Sequence, residues 1–278
     1  MWIRNTSIST KRFLATCMFF LFLIGYTHTK SSEYALSISC MFGAYIIYAA
    51  YKVYTNGIIV RLTSFTLHNT VLEVRNNFYF RSSKTDTRSI TCGENNNFIM
   101  SSVPIKKNGR WTYLPFIPKL LHRNHINRAL VLGAGGVAVP YLLLRDKLCT
   151  SVDAIEKYPK MISIANKYMI PQPMIKGLRI IHNDAKKFVS TTTNQYDFIF
   201  VDIFVGTNAI LTTDTQLISQ VTRLLHPKGI LLVNFGYAEY MNLSHLVELY
   251  SQNIPKFGIY LFPKSIIGIN KKILPSNL

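Results

Sequence analysis

Gly133-Ala134-Gly135-Gly136-Val137-Ala138 follows a short apolar run, Ala129 to Leu132, and leads into a helical pattern with Pro140 in its first turn. Glycines at such a junction let the backbone turn sharply and approach a ligand closely, at the positive end of a helix dipole. A GxGG turn alone is weak evidence, because many purely structural turns read the same way. Three carboxylates strengthen it. Glu156 ends a second strand, Ser151 to Ile155, 23 residues after Gly133, near the spacing at which an acid accepts two hydrogen bonds from a ribose diol. Asp184 follows the run Leu178 to His182. It is placed to hold an adenine amino group, and it or Asn183 to cap the helix Ala185 to Val189, two compatible roles. Asp202 ends DFIFVD, Asp197 to Asp202, and the carboxyl end of such a strand points at the crevice where open α/β sheets bind ligands. Asp202 is therefore the candidate catalytic or substrate-orienting residue, whereas Asp197 reads as a turn residue where the strand starts.

The elements that must position these residues alternate in the rhythm of βαβ units from Arg128 onward. Thr213 to Leu225 reads as an amphipathic helix, His226-Pro227-Lys228-Gly229 as a turn, and Ile230 to Phe235 as a fifth strand. Phe257 to Phe262 and Ser265 to Asn270 form a closing β pair. Upstream, from Gly57 to Ser102, short β-prone runs separated by Asn, Ser, Thr and Gly predict a small antiparallel unit, and Trp111 to Leu121 a connector. Arg75, Arg81, Lys84, Arg88, Lys106 and Lys107 read there as a solvated face. RNA binding is the weaker alternative, since no aromatic residues interleave with the charges.

Composition narrows the classes. With 49% hydrophobic residues in 278, disorder is excluded. Lys and Arg number 31 against 13 Asp and Glu, a net charge of +18 that attracts anionic surfaces. Cys17, Cys40, Cys92 and Cys149 show no metal-ligand spacing and read as reduced structural thiols. Two uncharged apolar runs, Phe13 to Thr27 and Tyr34 to Tyr51, open the chain. Arg4, Lys11 and Arg12 precede the pair and Lys52 and Arg61 follow it, with only Lys30 between. The positive-inside rule then predicts a membrane hairpin with both ends, and the catalytic domain, in the cytoplasm. A signal peptide or a single span is the alternative, although no A-x-A-like cleavage site follows the first run. Residues 1–55 are thus assigned to membrane segments, 56–115 to the small β unit and connector, and 116–278 to the main domain.

Taken in order, VLGAGGVAVPYLLLRD, VDAIEKYPKMISIANKYM, IIHNDAKKF, YDFIFVDIFVG and LLHPKGILLVNF resemble the spermidine synthase family. The resemblance spans roughly Val71 to Asn234. It implies an α/β Rossmann-like, methyltransferase-type domain behind a small β domain, binding S-adenosylmethionine or its decarboxylated form without a metal. It also implies that Gly133, Gly135 and Gly136 shape the cofactor site, Glu156 holds the ribose, Asp184 contacts adenine, and Asp202 is the first acid of the family's D-x-x-D, deprotonating the attacking amine. Three departures follow. Gly136 stands where the family loop has an acid, Val205 stands at the second acid of D-x-x-D, and no Asp-Glu-x-x-Tyr-His-Glu stretch occurs around Asn97 to Pro104. Each missing carboxylate would receive a cationic amine, and one charge at ~4 Å matters by about 4 kcal/mol at an effective dielectric near 20. The expected function is a spermidine-synthase-like transferase of an aminopropyl or methyl group, with methyl transfer to a neutral or anionic small-molecule acceptor favoured by the departures. The alternative is a degenerate, membrane-anchored binding protein on anionic lipid. Homodimer formation is left open.

Overall fold

The computed structural model describes residues 41–49, 58–67, 70–78, 86–92, 98–106, 108–110, 114–122, 124–170, 172–204, 214–236, 243–252, 254, 257–262 and 265–270. The first apolar run lies outside the described residues. Of the second, residues 41–49 are helical (α1), and Met41, Phe42, Ile46, Ile47 and Tyr48 on it are exposed. Among the described residues no helix is long and apolar enough to cross a membrane.

A four-stranded antiparallel meander comes next, formed by β1 (Ile58–Leu67), β2 (Thr70–Phe78), β3 (Thr87–Cys92) and β4 (Phe98–Pro104) in sequence order. Alternation along the strands sends Leu72, Val74, Ile90 and Val103 into one continuous core with Val131, Ala138 and Leu142 of the main sheet and its first helix. Of the basic residues expected on a solvated face, Lys106 is exposed, whereas Arg75 and Arg88 are drawn inward. Arg75 is clamped to Glu73 by bonds of 2.8 and 2.6 Å. Arg88 runs inward, donating to Asn76 Oδ1 at 2.8 Å and to the Tyr168 carbonyl at 2.7 Å. The long stem lets the Arg88 guanidinium satisfy a part-buried carbonyl where the small sheet meets the backbone of Tyr168. Arg81, Lys84 and Lys107 lie outside the described residues.

The second sheet has seven strands: β5 (Arg128–Leu132), β6 (Ser151–Glu156), β7 (Leu178–His182), β8 (Tyr196–Val201), β9 (Leu225–Gly236), β10 (Gly258–Phe262) and β11 (Ser265–Ile269). Their order is β10-β11-β9-β8-β5-β6-β7. The five strands β5 to β9 pair in parallel, while β11 runs antiparallel to β9 and β10 antiparallel to β11. Both faces of the central strands β5 and β8 are covered, which is why ALVL of β5 and FIFV of β8 are continuous apolar runs. Ala129 and Val131 pack on one side beneath α3 (Ala138–Arg145), after the short α2 (Ile117–Leu121). Leu130 and Leu132 pack on the other, against α5 (Ala185–Thr191), α6 (Thr215–Leu224) and α7 (Leu243–Ser251). Between β6 and β7, α4 (Pro159–Ile164) runs into a π-helical turn, Ala165–Met169. Cys92 and Cys149 are buried and free.

Two local readings change. His226 to Gly229 does not precede the strand but interrupts β9: Tyr196 pairs with Leu225 and Phe198 already with Ile230, so these four residues loop out opposite Asp197 alone. Parallel pairing with β8 continues on both sides of the Pro-Gly stretch. Asp197 lies inside β8 and staples the start of β5, accepting from the Asn127 and Arg128 amides at 2.9 and 3.0 Å.

Candidate functional site

The chain winds from β5 to β6 to β7 and then returns to the other side of β5 with β8, so the crevice for a ligand opens where the carboxyl ends of β5 and β8 part. Gly133 leaves β5 at φ +80°, and a Cβ there would stand 2.8 Å from the Asp202 carbonyl carbon and closer still to its oxygen. The same crossing is pinned by the Asp202 amide, which donates to the Leu132 carbonyl at 2.8 Å. The Gly133 and Ala134 amides donate to the Ile155 carbonyl at 3.0 and 2.9 Å, tying the loop to β6. Gly135, at φ +52°, faces open space, and its amide donates to Glu156 Oε2 at 2.7 Å. Gly136 points elsewhere. A Cβ on it would sit 2.6 Å from Ser101 Oγ and 2.8 Å from Ile90 Cδ1, so its missing side chain is what lets the small sheet press on the loop. Val137 then caps α3 in the left-handed region at φ +60°, a conformation costing a β-branched residue roughly 1–2 kcal/mol.

Glu156 is 5% exposed. Its second oxygen, Oε1, accepts from the Tyr158 amide at 2.9 Å. Burial pushes its carboxyl above the usual range, and the amide bonds from Tyr158, Gly135 and Lys157 only partly oppose that. Gly135 and Tyr158 thus engage one oxygen each, and of the roughly four acceptor positions of a carboxylate the three amides leave one open to a ligand.

At the neighbouring strand end, Asp184 does cap its helix, accepting from the Lys186 amide at 2.9 Å. Its other oxygen meets Lys157 Nζ at 3.0 Å. Burial raises its carboxyl, but the Lys157 ion pair and the helix amides outweigh this and hold it below the usual range. Lys186 pairs in turn with Asp214, the cap of α6. The line of alternating charges Lys157, Asp184, Lys186 and Asp214 therefore edges the carboxyl ends of the strands.

Asp202 is partly buried and accepts at Oδ1 from Asn234 Nδ2 at 2.8 Å. Asn234 is a residue that the sequence reading passed over within LLVNF. A polar side chain closing an apolar run was its only signal, and pairing of Val201 with Val233 is what brings it opposite Asp202. The structure therefore gathers Gly133, Gly135, Glu156 and Asp202 at three adjacent strand ends with Asp184 one strand further out, and turns Gly136 toward the small sheet. Val205 lies outside the described residues. Among the described residues no group of three or more His, Cys, Asp or Glu side chains could hold a metal ion.

No family model matches the chain, and no curated protein sequence does. Solved structures match it. A probable spermidine synthase from Corynebacterium glutamicum superposes with a TM-score of 0.61 at 16% identity, over 78% of this chain and 82% of that one. A spermidine synthase in complex with the transition-state analogue AdoDATO gives 0.53 at 15% identity, over 75% and 72%. The Thermotoga maritima spermidine synthase gives 0.50 at 13%, over 75% and 71%. A small antiparallel sheet packed on a seven-stranded sheet of this order, matched to these structures, is a spermidine-synthase-like, S-adenosylmethionine-methyltransferase-type fold, and that is the fold of this chain.

Proposed function

We propose that this chain binds an adenosyl sulfonium, S-adenosylmethionine or its decarboxylated form, and transfers an alkyl group from it to a small-molecule acceptor. The observation that carries the reading is the buried Glu156 carboxylate at the end of β6, held by the amides of Gly135 and Tyr158 beside a loop that only glycine could form. An acid fixed in that way offers its remaining acceptor position to a ribose hydroxyl. Asp184 stands one strand over, reached by Lys157 from the end of β6, where a base joined to that ribose would lie. Asp202 stands on the other side, beside the loop. The bound cofactor supplies an electrophilic carbon next to a positive sulfur. The protein's part is to position, exclude water and, through Asp202, orient or deprotonate the acceptor.

Methyl transfer is the favoured chemistry. Space beside Gly136 is taken by Ser101 and Ile90, so no side chain, acidic or otherwise, fits there to receive a cationic amine. In a chain of net charge +18, a diamine dication lacks that compensation. Calorimetry of the purified chain should show S-adenosylmethionine binding at least as tightly as the decarboxylated form, with little or no spermidine made from putrescine. Rapid putrescine turnover abolished by Asp202→Asn would establish aminopropyl transfer instead. If neither form binds at tens of micromolar, roughly 6 kcal/mol of affinity, the chain is a binding protein on a degenerate fold.

We place the domain on the cytoplasmic side of a membrane, because the exposed apolar side chains of α1 belong to the uncharged run Tyr34 to Tyr51 and basic residues flank the pair of runs. A reporter active only outside the cytoplasm, fused after Leu278, should remain silent. Strong activity would mean export.

A further inference from the structure

We infer that Asn234 is a positioning residue: its amide fixes the Asp202 carboxylate in the orientation that faces the reacting centre. The inference rests on the adenosyl-sulfonium reading above and adds a residue to it. Asn234 is 4% exposed, at the end of β9. Its Nδ2 donates to Asp202 Oδ1 at 2.8 Å, and its own Oδ1 accepts from the Gly236 amide at 2.9 Å. The second bond decides the first. With the carbonyl end held by a backbone N–H, the amide cannot flip, so the end turned to Asp202 is always the donor.

Gly236 owes that donor position to its φ of +73°, and the Phe204 ring lies 2.8 Å from where its Cβ would be. The turn that holds Asn234 is thus built from the end of β9 and the segment that leaves β8 at the crevice. On the other side, the Asp202 amide is bonded to Leu132 and its carbonyl abuts Gly133. Main chain and side chain of Asp202 are fixed independently, the first by β5 and the second by β9. A ribose held by Glu156 at the end of β6 directs its 5′ substituent across β5 toward β8, strands ~4.8 Å apart. That brings the transferring carbon to Asp202.

Sinefungin, which carries an amine-bearing carbon in place of the methylated sulfonium, tests this without knowledge of the acceptor, by comparison with S-adenosylhomocysteine, which has no group there. The full-length chain should bind sinefungin about ten-fold or more tightly than S-adenosylhomocysteine, the amine forming a charge-assisted bond to Asp202. Asp202→Asn should erase that preference. So should Asn234→Leu, with S-adenosylhomocysteine affinity kept within about two-fold, a pattern that a general loss of structure would not give. If Asn234→Leu does not fold, Asn234→Ala makes the same comparison. An undiminished sinefungin preference in a folded Asn234 variant overturns the positioning role and leaves the site reading standing. Failure of the wild-type chain to bind either ligand overturns both.

Discussion

Gly133→Ala is expected to be among the most damaging single substitutions in the chain, because two penalties coincide at one atom. The backbone is left-handed at φ +80°, which costs an alanine roughly 1–2 kcal/mol. The new methyl would also stand 2.8 Å or less from the Asp202 carbonyl group, which is main chain in a residue whose amide donates to the Leu132 carbonyl, so it cannot swing aside as a flexible side chain would. Overpacking of that kind adds about 1–3 kcal/mol. Together they amount to about 2–5 kcal/mol, or roughly 5–15 °C in the melting temperature of a domain of this size. Ligand binding should fall as well, since relief can come only by parting β5 from β8 at the crevice. Gly135→Ala is the control. Nothing lies within 4 Å of its would-be Cβ, so only the left-handed strain applies, about 1 kcal/mol. A melting curve for Gly133→Ala indistinguishable from that of Gly135→Ala would show that the β5–β8 crossing is far softer than its geometry implies.

Glu156→Ala is expected to lower affinity for S-adenosylhomocysteine by about 2–4 kcal/mol, roughly 30- to 1,000-fold. A charge-assisted bond to the ribose is lost, and the Gly135 and Tyr158 amides lose the acceptor that holds the loop. The wild-type site should also respond to pH in two opposite senses. Burial raises the folded-state value of Glu156 above that of the unfolded chain, so the folded protein holds this proton more tightly. The stability this contributes is complete below the ordinary carboxylate range and is lost as pH climbs through the raised folded value. Affinity moves the other way, because the diol is held by the carboxylate and not by the acid. Titrating calorimetric affinity and melting temperature across the mildly acidic range should show one rising while the other falls, and Glu156→Gln should flatten both. Parallel curves for wild type and Glu156→Gln would falsify the assignment of this carboxylate to the site.

The βαβ rhythm, the small antiparallel unit and the strand ends carrying Glu156, Asp184 and Asp202 were all legible from apolar runs broken by Gly, Asn and Asp, since that pattern is local. Helix bounds moved by a residue or two, as at α6, where the Asp214 cap sets the start. Two readings could not be made correctly from local pattern. His226 to Gly229 has the composition of a turn, and only the pairing of Leu225 and Ile230 with β8 on either side of it makes it an interruption within β9. Arg75 and Arg88 have the composition of a solvated face, and only the carboxylate of Glu73 and the backbone of Tyr168 draw them inward.

By itself the sequence determined which residue types stand at the ends of which strands, and with them the groups on offer: a glycine loop and the carboxylates of Glu156, Asp184 and Asp202. Tertiary structure alone decided which of these meet. Gly136 turned out to serve the contact with Ser101 and Ile90, and Asn234 came to face Asp202. Neither could be read along the chain, because each depends on the packing or register of segments 32 or more residues apart. That register is set by how Val201 and Val233 pack among their neighbours, with nothing in either residue's local sequence to announce it.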